Sequence, residues 1–155
     1  MKNNKSILFS KGSDFIMRYQ QKDFTQELKT KIQETEAALK EHSEILLREN
    51  KAIFENRNLE FHADFDIDGS DHFQLGYRST ISIGISDKIE PNGELINLHV
   101  IPIWECQRSI LGLPISKNIP GSKITGEFLD ESLEEIQEEL KEYIEEFLSE
   151  VLEGN

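Results

Sequence analysis

The chain has 155 residues, a length that suits one domain, and its 30 acidic residues against 17 basic ones give a net charge of −13. Such a charge argues against DNA, RNA and anionic membrane surfaces as partners and favours a cationic protein instead. Cys106 is the only cysteine, which excludes a disulfide within the chain. The apolar runs are far shorter than the roughly 18 residues of a membrane span and no N-terminal signal layout is visible, so a cytoplasmic protein is expected.

The N-terminal third is predicted to be an arm followed by a long helix. Residues 1–22 show weak periodicity and are expected to form a partly ordered arm with a short edge strand at residues 7–9. Residues 23–56 are predicted to be helical, because apolar residues recur at spacings of three, four or seven. Asp23 and Gln26 match a capping box at the start of this helix. An unbroken helix of this length would span about 48 Å, so a kink near its middle is expected.

Residues 58–104 are predicted to form an antiparallel β-meander. Apolar residues occupy every second position in two segments, 59–67 and 73–85, which is the pattern of half-buried strands. A three-residue loop at 69–71 would join them and keep both apolar sets on one face of the sheet. The side chains expected in the core include Phe61, Phe65, Tyr77, Ile83 and Leu98.

The third strand of this meander is expected at about residues 94–104. Its apolar residues lie at even positions, so Leu98 is predicted to pair with Ile85 in the core, and His99 is predicted to face the other way. Pro102 has no amide hydrogen to donate, so the strand is expected to lie at an edge or to carry a bulge there.

The C-terminal part is predicted to be a long connection followed by a helix. Residues 105–128 contain two prolines and three glycines and are interpreted as a connection that has room for a short fourth strand. Residues 130–152 form an apolar stripe with helical spacing, and Ser132 with Glu135 offers a capping box. The predicted fold is therefore a single α+β domain. In it, an antiparallel three- to four-stranded meander is covered on one face by the long N-terminal helix and the acidic C-terminal helix.

The predicted hairpin between the first two strands concentrates groups that bind metals. Asp64, Asp66, Asp68 and Gly69 have the spacing of the first half of an EF-hand calcium loop. The glutamate of that loop is replaced by a leucine and both flanks alternate like strands, so an EF-hand is rejected. A solvent-facing hairpin tip, which favours Asp and Gly, is the simpler interpretation. A looser metal site formed by Asp64, Asp66, Asp68 and His72, in a metal-dependent enzyme, is kept as an alternative.

The negative charge is concentrated at the C-terminus. Residues 126–155 hold twelve acidic residues and one basic residue, whereas the first 125 residues hold 18 and 16. Carboxylates without interleaved bases repel one another along a helix, so this face is interpreted either as a solubility feature or as a surface for a basic partner. We expect a small binding protein that neutralises or sequesters a basic protein, as an immunity protein does with a toxic nuclease. The residues expected to bind this partner are Glu134, Glu138, Glu142, Glu145, Asp66, Asp68 and Asp71.

Catalytic chemistry has weaker support in the sequence. No glycine-rich phosphate loop has the required spacing, and the four histidines lack the neighbouring nucleophile of a catalytic triad. We therefore expect no cofactor and no enzymatic activity, with the metal-dependent enzyme as one alternative. A structural or assembly protein that forms a homodimer through its long first helix is the other.

Overall fold

The computed structural model describes residues 16–88 and 93–153. Within these ranges the protein has an α+β fold, in which two helices cover one face of an antiparallel sheet, as the sequence predicted. The strand predicted at residues 7–9 lies outside the described residues. Among the described residues, no helix combines the length and the apolar character that a membrane crossing requires.

The sheet of the described residues is larger than the predicted meander and has six strands. These are β1 (Ile16–Gln20), β2 (Leu59–Asp68), β3 (Arg78–Asp87), β4 (Leu95–Ile110), β5 (Leu113–Pro114) and β6 (Lys123–Leu129). Neighbours are antiparallel in the order β1-β6-β4-β3-β2, and the short β5 pairs with β4. The predicted connection at 105–128 is therefore mostly sheet, since it contains the end of β4, all of β5 and most of β6.

Two helices, α1 (Gln26–Glu55) and α2 (Leu133–Glu153), pack against the same face of the sheet. The N-cap of α1 is Thr25, whose hydroxyl accepts a hydrogen bond from the Leu28 amide at 3.1 Å. The predicted capping box of Asp23 is wrong, because its carboxylate instead accepts from the Gln20 amide in a preceding 3-10 turn. The 30 residues of α1 run as one uninterrupted helix.

The pairing of β2 with β3 differs from the predicted hairpin. Asp68 pairs with Arg78, so the connection has nine residues, 69–77, instead of three. The register differs from the predicted one by an even number of residues. An even shift leaves each side chain on the same face of the sheet, so Phe61 and the residue two positions after it still face the core. The Trp104 indole donates a hydrogen bond to the His72 carbonyl at 2.7 Å, and this bond helps to hold the longer connection on the helical side.

The register of β4 against β3 differs from the predicted register by one residue. Ile85 pairs with Asn97, and the predicted core residue Leu98 points away from the helices with 54% of its surface exposed. His99, predicted to face outward, is buried on the helical face. A bulge lies at each end of this segment, and each extra residue reverses the alternation of the strand. The second bulge, near Pro102 as expected, returns Trp104 to the core.

The core is one cluster between the sheet and the two helices. Phe61, Tyr77 and Ile83 are buried as predicted, and Phe65 is partly buried against the cluster. The largest fully buried side chain is Trp104. The Trp104 ring lies directly over the backbone of β6 at Gly126.

Candidate functional site

The acidic helix α2 begins as the sequence predicted. The Ser132 amide donates to the Glu135 carboxylate at 2.8 Å, and the Glu135 amide donates to the Ser132 hydroxyl at 3.1 Å, which completes a capping box. This cap satisfies two donors of the first turn and fixes where the helix starts. The rotation of every later side chain about the helix axis follows from that start.

One face of α2 is buried and the opposite face carries the carboxylates. The buried side chains recur at helical spacing and are Ile136, Leu140, Ile144 and Phe147. Because these anchor the helix on the sheet and α1, the four glutamates expected to bind a partner are exposed, and they are Glu134, Glu138, Glu142 and Glu145. The exposed side of α2 is thus a strongly negative surface.

A groove of about 700 Å³ separates this helix from α1. Its apolar lining includes Leu46 and Ile53 from α1, and Ile144 and Leu148 from α2. Ile53 stands at the edge of the groove with 39% of its surface exposed. The groove therefore presents an apolar surface to solvent between two rigid elements, which is the form that many binding sites take.

Carboxylates border the groove on both helices. Glu49 lies on the α1 side, and Glu134, Glu138 and Glu145 lie on the α2 side together with one base, Lys141. Of the four glutamates expected to bind a partner, three line the groove, and Glu142 does not. The groove combines apolar contact with a net negative border.

His42 also lines the groove, and its polar edge is unsatisfied. Its Nε2 atom is buried and has no hydrogen-bond partner among the described residues. Burial lowers the pKa of the His42 imidazole, and the nearby Glu49 carboxylate opposes this effect in part.

The side of α2 that faces the sheet carries a polar contact. Glu139 Oε2 lies 3.0 Å from Nε2 of the buried His99, and the His99 ring stacks on the Tyr143 ring with centroids 4.8 Å apart. The Tyr143 hydroxyl donates a hydrogen bond to the side-chain oxygen of Asn97. Glu139 is therefore an acidic residue with a structural role, since it ties α2 to β4.

Replacement of Tyr143 by phenylalanine is expected to change the alkaline stability of the fold. Burial, with the Glu150 carboxylate, raises the pKa of Tyr143 to about 12 from its usual 10.0. Because the raised pKa favours the neutral hydroxyl in the folded state, this stabilisation is complete below pH 10 and is lost as the pH rises towards 12. Urea denaturation across this range should show a shallower decline for Tyr143→Phe than for the wild type. Equal slopes would mean that the hydroxyl is solvated.

Two of the three predicted partner-binding aspartates lie on a different surface from α2. Asp66 and Asp68 project from the outer face of the sheet, opposite the helices. Asp71 lies in the β2–β3 loop, where its carboxylate accepts a hydrogen bond from the Phe73 amide at 3.0 Å. The structure therefore brings the glutamates of the predicted site together and leaves Asp66 and Asp68 apart from them.

The residues of the alternative metal site are also divided between the two faces. Asp64, Asp66 and Asp68 are exposed on the outer face of the sheet, whereas His72 is buried on the helical side. In residues 16–88 and 93–153, no group of three or more His, Cys, Asp or Glu side chains has the arrangement of a metal site. The four residues do not converge as the alternating pattern suggested.

His72 belongs instead to a buried polar network that the sequence analysis missed. Its Nε2 lies 2.8 Å from Glu36 Oε1 and 3.1 Å from the Tyr77 hydroxyl, which donates to Glu36 Oε2 at 2.8 Å. Burial and the Glu36 hydrogen bond raise the pKa of Tyr77 above its usual range. The signal in the sequence was the position of Glu36 between Ile32 and Leu39, on the buried stripe of α1.

Comparison of the chain with protein-family models, curated proteins and solved structures gives no match. The candidate site offers two kinds of contact surface. Its apolar lining can bury apolar side chains, and the carboxylates at its border can pair with cationic ones. The network around Glu36 acts within the core, where it fixes the β2–β3 loop on α1.

Proposed function

We propose that this protein binds a basic protein partner through the acidic surface of α2 and neutralises or sequesters it, as an immunity protein does with a toxic nuclease. The supporting observation is the row of exposed glutamates on α2, which is anchored by a buried apolar face. The segment of residues 126–155 holds twelve acids and one base, so the surface charge is not balanced locally. Concentrated charge of one sign steers an oppositely charged partner and selects against others.

The positions of the carboxylates support an interface on the helical side of the molecule. Asp66 and Asp68 project from the outer face of the sheet, so a partner docked on α2 would have to reach around the sheet to contact them. We therefore assign the proposed interaction to the glutamates of α2 without these aspartates. The alternative of a metal-dependent enzyme is weakened, because the residues of its metal site do not come together. The alternative of a dimer through α1 is weakened as well, because the apolar stripe of α1 already packs against the sheet.

Changing Glu138, Glu142 and Glu145 together to glutamine is expected to slow association with the partner about tenfold at low salt. The rate should also lose much of its salt dependence, because exposed charges are screened over about 8 Å at physiological ionic strength. Folding should be intact or slightly more stable, since like-charge repulsion along the helix is relieved. Affinity capture from a native lysate identifies the basic partner, and stopped-flow measurements at low and high salt give the rates.

A triple variant of Asp64, Asp66 and Asp68 to asparagine is the matched control. It removes the same number of negative charges from exposed positions on the outer face of the sheet. The proposal requires a much smaller decrease in association rate for this control. An unchanged rate in the glutamine variant, or an equal decrease in both variants, would overturn it.

A further inference from the structure

We infer that the groove between α1 and α2 receives an amphipathic helix of the basic partner, with its apolar side chains inside the groove and lysines or arginines against the carboxylates at the border. This inference rests on the proposed function and adds to it the form of the partner's binding segment. Three observations support it, namely the apolar lining, the charge on both sides and the length of the groove.

The apolar lining explains why charge alone is an incomplete description of the site. Leu46 and Ile144 are buried at the base of the groove, and Ile53 is partly exposed at its edge. A partner that touched only the carboxylates would leave this surface in water. An amphipathic helix laid into a groove buries such a surface with side chains spaced three and four residues apart.

The carboxylates along both sides of the groove indicate that the apolar stripe of the bound helix is flanked by basic residues. Glu49 stands on the α1 side, and Glu138 and Glu145 stand on the α2 side, with Lys141 as the one base. A strand or a loop with bases on one side only would leave one border of carboxylates without counter-charge. A helix with basic residues on both sides of its apolar stripe complements both borders.

The dimensions of the groove fit a short helix. The lining residues of α2 extend from Glu134 to Leu148, which corresponds to about 21 Å of helix, and those of α1 from His42 to Ile53, about 16 Å. A helix of roughly 11 to 14 residues has the same length.

The test uses the full chain and a synthetic peptide as the probe. The peptide has 14 residues of leucine and lysine in the helical pattern LKKLLKLLKKLLKL, with both ends blocked. Its control has the same length and the alternating pattern LKLKLKLKLKLKLK, which has a similar charge and puts all its leucines on one face of a strand. Isothermal titration is expected to give at least tenfold tighter binding of the helical pattern, with a gain of helical circular dichroism on binding. Equal affinities for the two peptides would overturn the inference.

Two single substitutions on α1 separate the groove from charge. Ile53→Asp adds a negative charge and removes the apolar edge of the groove, whereas Leu47→Asp adds the same charge at a residue of similar exposure, 36% against 39%, outside the groove. The inference requires about tenfold weaker peptide binding for Ile53→Asp and unchanged or slightly tighter binding for Leu47→Asp. If charge alone attracted the peptide, both variants would bind as tightly as the wild type or more tightly, and the inference would fail.

The outcome for the groove is distinct from the outcome for the proposed function. If the triple glutamine variant slows association with the captured partner while Ile53→Asp leaves both partner and peptide binding unchanged, the function stands and the groove inference fails. If instead Ile53→Asp loses peptide binding while the glutamine variant associates with the captured partner at an unchanged rate, the groove binds the helix and the proposed function fails. A change in the mass of the free protein on Ile53→Asp, seen by sedimentation, would identify a second copy as the occupant and also overturn the inference.

Discussion

Gly126→Ala is expected to cost about 3 kcal/mol or more of unfolding free energy, at or above the upper end of the range for overpacked cores. A Cβ atom at this position would lie 2.0 Å from Trp104 Cη2 and under 3 Å from two further atoms of the ring. The ring cannot move easily, because Trp104 is fully buried and its indole donates to the His72 carbonyl at 2.7 Å. Chemical denaturation of the variant and the wild type measures the difference.

The chain offers a matched control for this substitution in β3. A Cβ at Gly84 would meet Leu95 and Leu98 at 3.6 and 3.7 Å, which are ordinary contact distances. Gly84→Ala should therefore change stability by less than about 1 kcal/mol, and the reduced freedom of the unfolded chain can make it slightly stabilising. Equal effects of the two substitutions would contradict the position of the indole ring.

The expected cost of Gly126→Ala should depend on the size of residue 104. In a Trp104→Leu background the ring is absent, so the added methyl group should cost much less than in the wild type, although Trp104→Leu is itself destabilising. Such a coupling between two contacting residues is what a double-mutant cycle measures. Additive effects would show that the glycine is required for another reason, such as the pairing of β6.

The parts of the fold that the sequence predicted correctly are those fixed by local pattern. The capping box of Ser132 and Glu135 and the apolar stripe after it define α2 without reference to the remainder of the chain. The alternation in β2 likewise determines which of its side chains face the core, because an even shift of register leaves the faces unchanged. These features depend only on residues a few positions apart.

The parts that the sequence did not predict depend on contacts between distant residues. The nine-residue loop after Asp68 is held by a hydrogen bond from Trp104, and the two bulges in the β3–β4 pairing set which side of the sheet Leu98 occupies. The pairing of β1 with β6 joins segments more than 100 residues apart in the chain, such as Ile16 and Leu129. Neither hydrophobic periodicity nor turn composition indicates which residues meet when they lie this far apart in the chain.

One part of the candidate site could be predicted from the sequence and another part could not. Helical periodicity was sufficient to place Glu138, Glu142 and Glu145 on the exposed side of α2. The groove was not predictable, because it exists only through the placement of α2 beside α1 on one face of the sheet. The inclusion of Asp66 among the partner-binding residues was a prediction from charge alone, and the sheet separates this residue from α2.

Glu36→Ala is expected to cost about 3–5 kcal/mol, the range for removing one partner of a buried ion pair. Its carboxyl group is bonded to both His72 and the Tyr77 hydroxyl at 2.8 Å, and all three side chains are buried. Alanine would leave a cavity and two polar groups that have lost their partner, and both lie in or beside the long β2–β3 loop. The substitution should therefore loosen this loop as well as the whole fold, which hydrogen exchange can resolve residue by residue.

Three further variants separate the network from the helix that carries Glu36. Glu34→Ala alters an exposed glutamate two positions away and should change stability by less than about 0.5 kcal/mol. Glu36→Gln keeps the volume and part of the hydrogen bonding, and Tyr77→Phe removes one donor, so both should fall between that control and Glu36→Ala. If Glu36→Ala were as mild as Glu34→Ala, with loop amides still protected from exchange, the carboxyl group would not be what holds the β2–β3 loop. Apolar contacts would hold it instead, such as the Phe73 ring stacked at 4.7 Å on Phe24, just before α1.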